Sequence, residues 1–170
     1  MSLGDHPPSE MTVDELESYG LARMDDAEID GFLQSQSTGV LGLPGEAAPY
    51  LLPMSFGYDG ASLYVTYVLG TESRKAALTG EGTPARFLVY RADTAFNWES
   101  VLLTGRVEPV PEGERDAVLE STTVAWRPDL FERAEAVERA DLYRFRIEDR
   151  SGIKHTGLPP AFERDSPESG

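Results

Sequence analysis

The 170-residue chain has no cysteine, two histidines and only two lysines, Lys75 and Lys154. Without cysteine there is no disulfide, no thiol nucleophile and no thiolate metal site. His6 and His155 stand too far apart in sequence to suggest a metal-ligand spacing, so no metal site is expected. A Ser–His–Asp arrangement would have to use His155, and no Gly-x-Ser-x-Gly elbow presents a serine to it. Also missing are a Gly-x-Gly-x-x-Gly turn after a strand, a Walker-type phosphate loop and an EF-hand pattern among the acids. These absences remove the common hydrolase and nucleotide-triphosphate chemistries, so an enzymatic activity would draw its reactive group from a cofactor. The apolar runs are short and broken, far from the roughly 20 residues that a membrane span needs. The opening "MSLGDHPPSE" lacks the basic region and apolar core of a secretory signal, and a soluble cytoplasmic protein is expected.

Acidic charge is what the chain has in excess. Thirty Asp and Glu face fifteen Lys and Arg, for a net charge of −15, and since only two cations are lysine the other thirteen are arginine. An acidic, lysine-poor surface over an ordinary apolar fraction of 40% is similar to that of halophilic proteins, whose self-repulsion is screened by concentrated salt. The same field repels a phosphate backbone, so nucleic acid is not an expected partner.

The periodicity along the chain implies one α+β domain, mainly β. "DDAEIDGFLQSQ" (25–36) reads as an amphipathic helix, with Asp25 as N-cap, Glu28 completing a capping box, and Ile29, Phe32 and Leu33 on one face. A shorter helical turn precedes it around Val13–Ser18. The period then shortens: "TGVLGL" (38–43) and "APYLLPMSFGY" (48–58) read as strands, and Asp59-Gly60 is a hairpin turn into "ASLYVTYV" (61–68). "PARFLVYRA" (84–92) and "ESVLLTGRVEPV" (99–110) are two more strands. Pro111 and Pro128 each open a helical region, and "DLYRFRIEDR" (141–150) is the last strand. The domain is placed at residues 21–157, with a flexible leader at 1–20 and a flexible acidic tail at 158–170. Strands with hairpin turns and few helices suit a small barrel.

The stretch "YVTYVLGTESRKAALTG" (64–80) carries the most specific signal. A short helix is expected at about Glu72–Leu78, after the strand and ending at Gly80, with Thr71 or Ser73 as its cap. Arg74 and Lys75 fall in its first turn, where cations oppose the helix dipole at a cost of a few tenths of a kcal/mol each. Two readings stay open on these residues alone. One is a solvated basic face with Glu72 and Glu81 as partners; the other is a phosphate cradle, gripped by the Arg74 fork and the Lys75 point charge.

The same stretch resembles the strand–loop–helix of the pyridoxamine 5′-phosphate oxidase-like, FMN-binding split-barrel family, in which an aromatic-Thr strand end leads to a Ser-Arg-Lys-Ala helix start. "PYLLPMSFGYDG" is similar to that family's strand along the flavin ring, and "NWESVLLTGRVEPV" to its Ser-Val-x-x-x-Gly strand. The resemblance covers roughly residues 21–150. It implies a six-stranded antiparallel split β-barrel with Greek-key-like connections and flanking helices. It also implies FMN phosphate on Ser73, Arg74 and Lys75, with Val65 and Thr66 against the ring or ribityl chain. Pro53, Met54, Ser55 and Phe56 would meet the isoalloxazine edge, mainly through backbone groups. A homodimer with flavin at the subunit interface is implied as well, in which Asn97, Trp98, Glu99 and Ser100 reach the cofactor from the partner chain. Packing of Phe96 and Trp98 in the core or interface is the alternative for those rings. The C-terminal stretch lacks the Arg/Trp-rich segment of true pyridoxamine 5′-phosphate oxidases. The layout therefore looks more like the uncharacterised branch that includes nitroimidazole-resistance-like reductases. The implied activity is FMN-dependent oxidation or reduction of a small molecule, with NAD(P)H as a candidate donor and no side chain marked as acid or base. A non-catalytic flavin-binding or redox-sensing module, a deazaflavin-dependent reductase and a cofactor-free structural dimer are the alternatives.

Overall fold

A computed structural model of the chain describes residues 13–68, 82–121 and 140–157. Seven strands form one antiparallel sheet: β1 (Leu21–Arg23), β2 (Thr38–Leu43), β3 (Tyr50–Tyr58), β4 (Ser62–Val68), β5 (Thr83–Thr94), β6 (Asn97–Pro109) and β7 (Ala140–Thr156). Their order is β1-β7-β4-β3-β2-β5-β6, and a further β6–β7 pairing closes β2 to β7 into a six-stranded barrel, with β1 as an extra strand on the end of β7. β2, β3 and β4 run as consecutive hairpins and β5 returns beside β2, which is a Greek-key connection. Closure leaves the barrel strands without a free edge along most of their length.

Alternation along the strands fills the interior. Leu41, Phe56, Tyr58, Leu63, Val65 and Phe87 point inward and are buried, and Phe87 packs edge-on against both Phe56 and Phe145 with ring centroids 5.5 and 5.9 Å away. Gly39 of β2 lies under this stack, where a Cβ would stand 2.5 Å from the Phe87 ring. The helix α2 (Asp26–Ser35) lays Ile29, Phe32 and Leu33 onto the same core. Its N-cap is the expected one, with the Glu28 N–H donating to the Asp25 carboxylate at 2.8 Å. The short helix α1 (Val13–Ser18) precedes β1, and a 3-10 turn (Glu112–Glu114) leads into α3 (Arg115–Ser121). Val118 of α3 covers Tyr64 on the outer side of β4 and forms a second apolar cluster with Leu142. The helix expected at 72–78 and the one after Pro128 lie outside the described residues.

Two expected boundaries are corrected. The last strand does not stop at Arg150 but runs on to Thr156, and β1, which has no counterpart in the sequence reading, pairs with this extension. Ser151-Gly152 follows the end of the expected strand. In the fold Gly152 is a close-contact position, because a Cβ there would meet Met24 and Ile29 at 2.9–3.1 Å. The absence of a side chain lets α2 and the chain before it press onto the sheet. β5 and β6 are also longer than expected and meet in a tight turn at Ala95-Phe96.

A polar clamp fixes α2 to the barrel. The buried Tyr58 hydroxyl donates to Asp30 at 2.5 Å, and Arg150 donates to the same carboxylate oxygen at 2.7 Å. Burial, reinforced by the Asp30 charge, pushes the Tyr58 phenol up to about 12, while its hydrogen bond and that of Arg150 hold Asp30 below the usual carboxylate range. The two signs bracket a pH window. Tyr58 adds stability that is full below the unfolded tyrosine value near 10 and is lost as pH climbs toward 12. Asp30 adds stability that is present above its unfolded value and is lost as pH falls through its lowered folded one. Tyr58→Phe is therefore expected to flatten the alkaline limb of thermal stability against pH. A variant that tracks the parent protein from pH 9 to 12 would show that Tyr58 is not the group responsible.

Candidate functional site in the barrel split

The ladder between β3 and β4 is short. It runs through Tyr58↔Leu63, Gly57↔Tyr64 and Phe56↔Val65 and then stops, although both strands continue. Beyond it β3 follows β2, with Ser55 opposite Thr38 and Tyr50 opposite Leu43, while β4 follows β7, with Thr66 opposite Leu142 and Val68 opposite Ala140. The barrel is thus split between Tyr50–Ser55 and Thr66–Val68. Backbone polar groups in an antiparallel pair alternate in direction. The Phe56 N–H is spent on Ser37 at 2.9 Å on the β2 side, so Ser55 and Thr66 are the residues whose main chain would form the next rung across the gap. That rung is missing from the β3–β4 pairing. Pro53 has no N–H, and by the same alternation its imide faces the split, where no ladder bond is lost.

The residues expected to hold a cofactor fall into three groups. Pro53, Met54, Ser55 and Phe56 on β3 and Val65 and Thr66 on β4 flank the split. Phe56 and Val65 are fully buried core side chains and Met54 packs beside them, so these three can offer a ligand backbone groups only or chiefly; Ser55 and Pro53 point outward and are exposed. Ser73, Arg74 and Lys75 lie outside the described residues. The described chain on either side of them stops at Val68 and resumes at Gly82, at the end of the barrel where the split opens. Trp98, Glu99 and Ser100 open β6, separated from β3 by β2 and β5. At one strand spacing per step that is about 14 Å of curved sheet. On the other side, across β7, Ser100 is opposite Ile153 while Thr66 is opposite Leu142, eleven residues away along that strand, so one chain does not bring the third group to the first.

Several outward residues on the strands around these two groups are apolar and exposed. Leu51 is 66% exposed on β3, Tyr90 56% on β5, and Leu102 and Ile153 37% and 39% on β6 and β7. Glu99 points the other way and pairs with Arg91 at 3.2 Å. Trp98 lies with its ring centroid 6.2 Å from that of His155, its direct partner across the β6–β7 ladder, and tilted by 35° to it. In sequence His155 stands out only as a candidate metal ligand or catalytic base. Its burial beside two aromatic rings has no signal in the local sequence, because the contact joins residues 59 positions apart.

Residues 25–154 match the model of the pyridoxamine 5′-phosphate oxidase family, and the chain belongs to that family. No curated protein matches it. Solved structures share its fold. It is similar to an FAD-binding protein from Mesorhizobium loti (TM-score 0.62, 19% identity, over 81% of this chain and 98% of that one). It is also similar to the FAD and heme binding protein from Mycobacterium smegmatis (0.63, 19%, 82% and 75%) and to the flavocytochrome Anf3 from Azotobacter vinelandii (0.61, 19%, 89% and 75%).

Proposed function

We propose that the chain binds a phosphorylated flavin at the β3–β4 split and works as an FMN-dependent oxidoreductase on a small molecule. The observation that carries this reading is the missing rung between Ser55 and Thr66, which leaves two strand edges to serve a flat, hydrogen-bonding ligand. Family membership and the flavin-binding names of similar structures support it. In this reading Ser73, Arg74 and Lys75 hold the phosphate, while Ser55 and Thr66 orient the ring edge through main-chain groups. Pro53, Met54, Phe56 and Val65 keep the gap at a fixed width, since their side chains are set by the core or by the strand surface. A bound flavin supplies hydride or electron transfer; the chain supplies position, hydrogen bonds and a site with little water.

The assembly we propose is a homodimer. Leu51 of β3, Tyr90 of β5, Leu102 of β6 and Ile153 of β7 form an outward apolar face on the strands that run from the split to Trp98–Ser100 and one step past them. A two-fold contact across that face would carry Trp98, Glu99 and Ser100 of each chain toward the other chain's split. FAD is a second candidate, since two of the similar structures are described as FAD-binding, and a deazaflavin is a third.

The experiment is visible absorption of protein purified in high salt, followed by mass spectrometry of the released chromophore. Flavin bands near one equivalent per chain with the mass of FMN are expected. FAD or a deazaflavin would move the cofactor assignment, and a colourless protein that no flavin stabilises thermally would remove the whole reading.

A further inference from the structure

His155 is buried to 7% exposure, and with Ser62 it forms the short set of buried polar residues among those described. Its contacts come from three directions. Nδ1 lies 2.9 Å from the Phe96 carbonyl, and because a carbonyl only accepts, Nδ1 is the ring nitrogen that carries a proton and donates. The ring meets Phe96 and Trp98 at a tilt, with centroids 5.8 and 6.2 Å away and interplanar angles of 55° and 35°. Gly20 closes the third side: its φ of +81° turns the chain out of α1, and a Cβ there would stand 3.1 Å from Cε1 and 3.2 Å from Nε2 of the imidazole. The next residue, Leu21, begins β1 opposite His155 itself. One imidazole thus ties the tip of the β5–β6 hairpin, the opening of β6 and the N-terminal segment together. An apolar ring of similar size would keep the packing but lose the anchor on the hairpin tip.

We infer that His155 is a positioning residue for Trp98: through its bond to the Phe96 carbonyl and its tilted ring contact with the indole, it fixes the indole in the orientation in which this chain presents it to a flavin held by a second copy. The inference rests on the proposed flavin reading for its second half only; the His155–Trp98 coupling stands on the contacts of one chain. It makes the sole histidine of the barrel a part of the site without giving it a proton to transfer.

The test uses full-length protein carrying Trp126→Phe, so that emission reports Trp98 alone of the two tryptophans. His155→Leu keeps bulk and removes the donor, and His155→Gln restores an N–H in reach of the carbonyl. His155→Leu is expected to shift Trp98 emission and raise its acrylamide quenching about twofold, and to weaken FMN binding about tenfold, with recovery of both in His155→Gln. Trp98 emission and FMN affinity unchanged in His155→Leu would overturn the inference. Trp98→Ala measured beside it separates the two layers: if that variant binds FMN normally, the indole is no flavin contact and the second half falls, while the emission result still decides the coupling. Should His155→Leu fail to fold, Gly20→Ala, which presses a methyl group on the imidazole, replaces it with the same expected shifts and the same overturning result.

Discussion

Phe87→Ala is expected to destabilise the protein by about 3–5 kcal/mol, the range for removing a fully buried aromatic ring. Phe87 is 0% exposed and sits between Phe56 and Phe145, so the cavity would open in the middle of the barrel with rigid strands on all sides. Gly39 stands directly beneath it, and no side chain there could swing in to fill the space. Against a typical total stability of roughly 5–15 kcal/mol, such a loss would lower the melting temperature by about 10 °C or more. Arg86→Ala, one residue away on the outward face of the same strand, is expected to change stability by less than about 0.5 kcal/mol. Thermal denaturation of the two variants in the same buffer checks this. Equal losses would mean that the inward and outward faces of β5 are wrongly assigned.

The second large effect concerns the anion. Replacing Arg74 and Lys75 together by alanine removes the fork and the point charge proposed to hold the flavin phosphate. Charge-assisted hydrogen bonds are worth about 1.5–3 kcal/mol each, so the pair amounts to roughly 3–6 kcal/mol, or about a hundredfold or more in Kd. Riboflavin, which lacks the phosphate, is expected to bind the double variant and the parent protein alike. Both titrations should be run at one fixed salt concentration, because a cationic phosphate site in so acidic a chain is sensitive to screening. Loss of riboflavin binding together with FMN would point to a damaged fold rather than a missing phosphate grip.

Much of the barrel is legible in the residues themselves. The N-cap at Asp25, the Asp59-Gly60 turn and the inward row of Leu63 and Val65 are local signals, read within a few positions, and the structure has each of them; the Glu28 carboxylate, expected to complete a capping box, is paired with Lys154 instead. The end of β7 was not legible, because Ser151-Gly152 has the composition of a turn and its extended path depends on Met24 and Ile29 packing from far along the chain. β1 is three residues long and exists only because that extension offers it an edge. The split itself is invisible to periodicity. β3 and β4 keep their strand pattern through it, and what changes is the neighbour each one follows: β2 for one, β7 for the other. Family resemblance names Pro53–Phe56 and Val65–Thr66, stretches that flank the split. It could not say that Phe56 and Val65 are sealed in the core while Ser55 and Thr66 bound the gap. Resemblance carries residue identity, and the direction of each backbone group follows from the ladder.

Titration of FMN with the purified chain, followed by flavin fluorescence, decides whether the split barrel holds a phosphorylated flavin. Saturable quenching at about one flavin per chain, with a Kd on the order of micromolar or tighter, is expected. Fluorescence that stays unchanged with FMN, FAD and a deazaflavin alike, in a protein shown to be folded by circular dichroism, would contradict it.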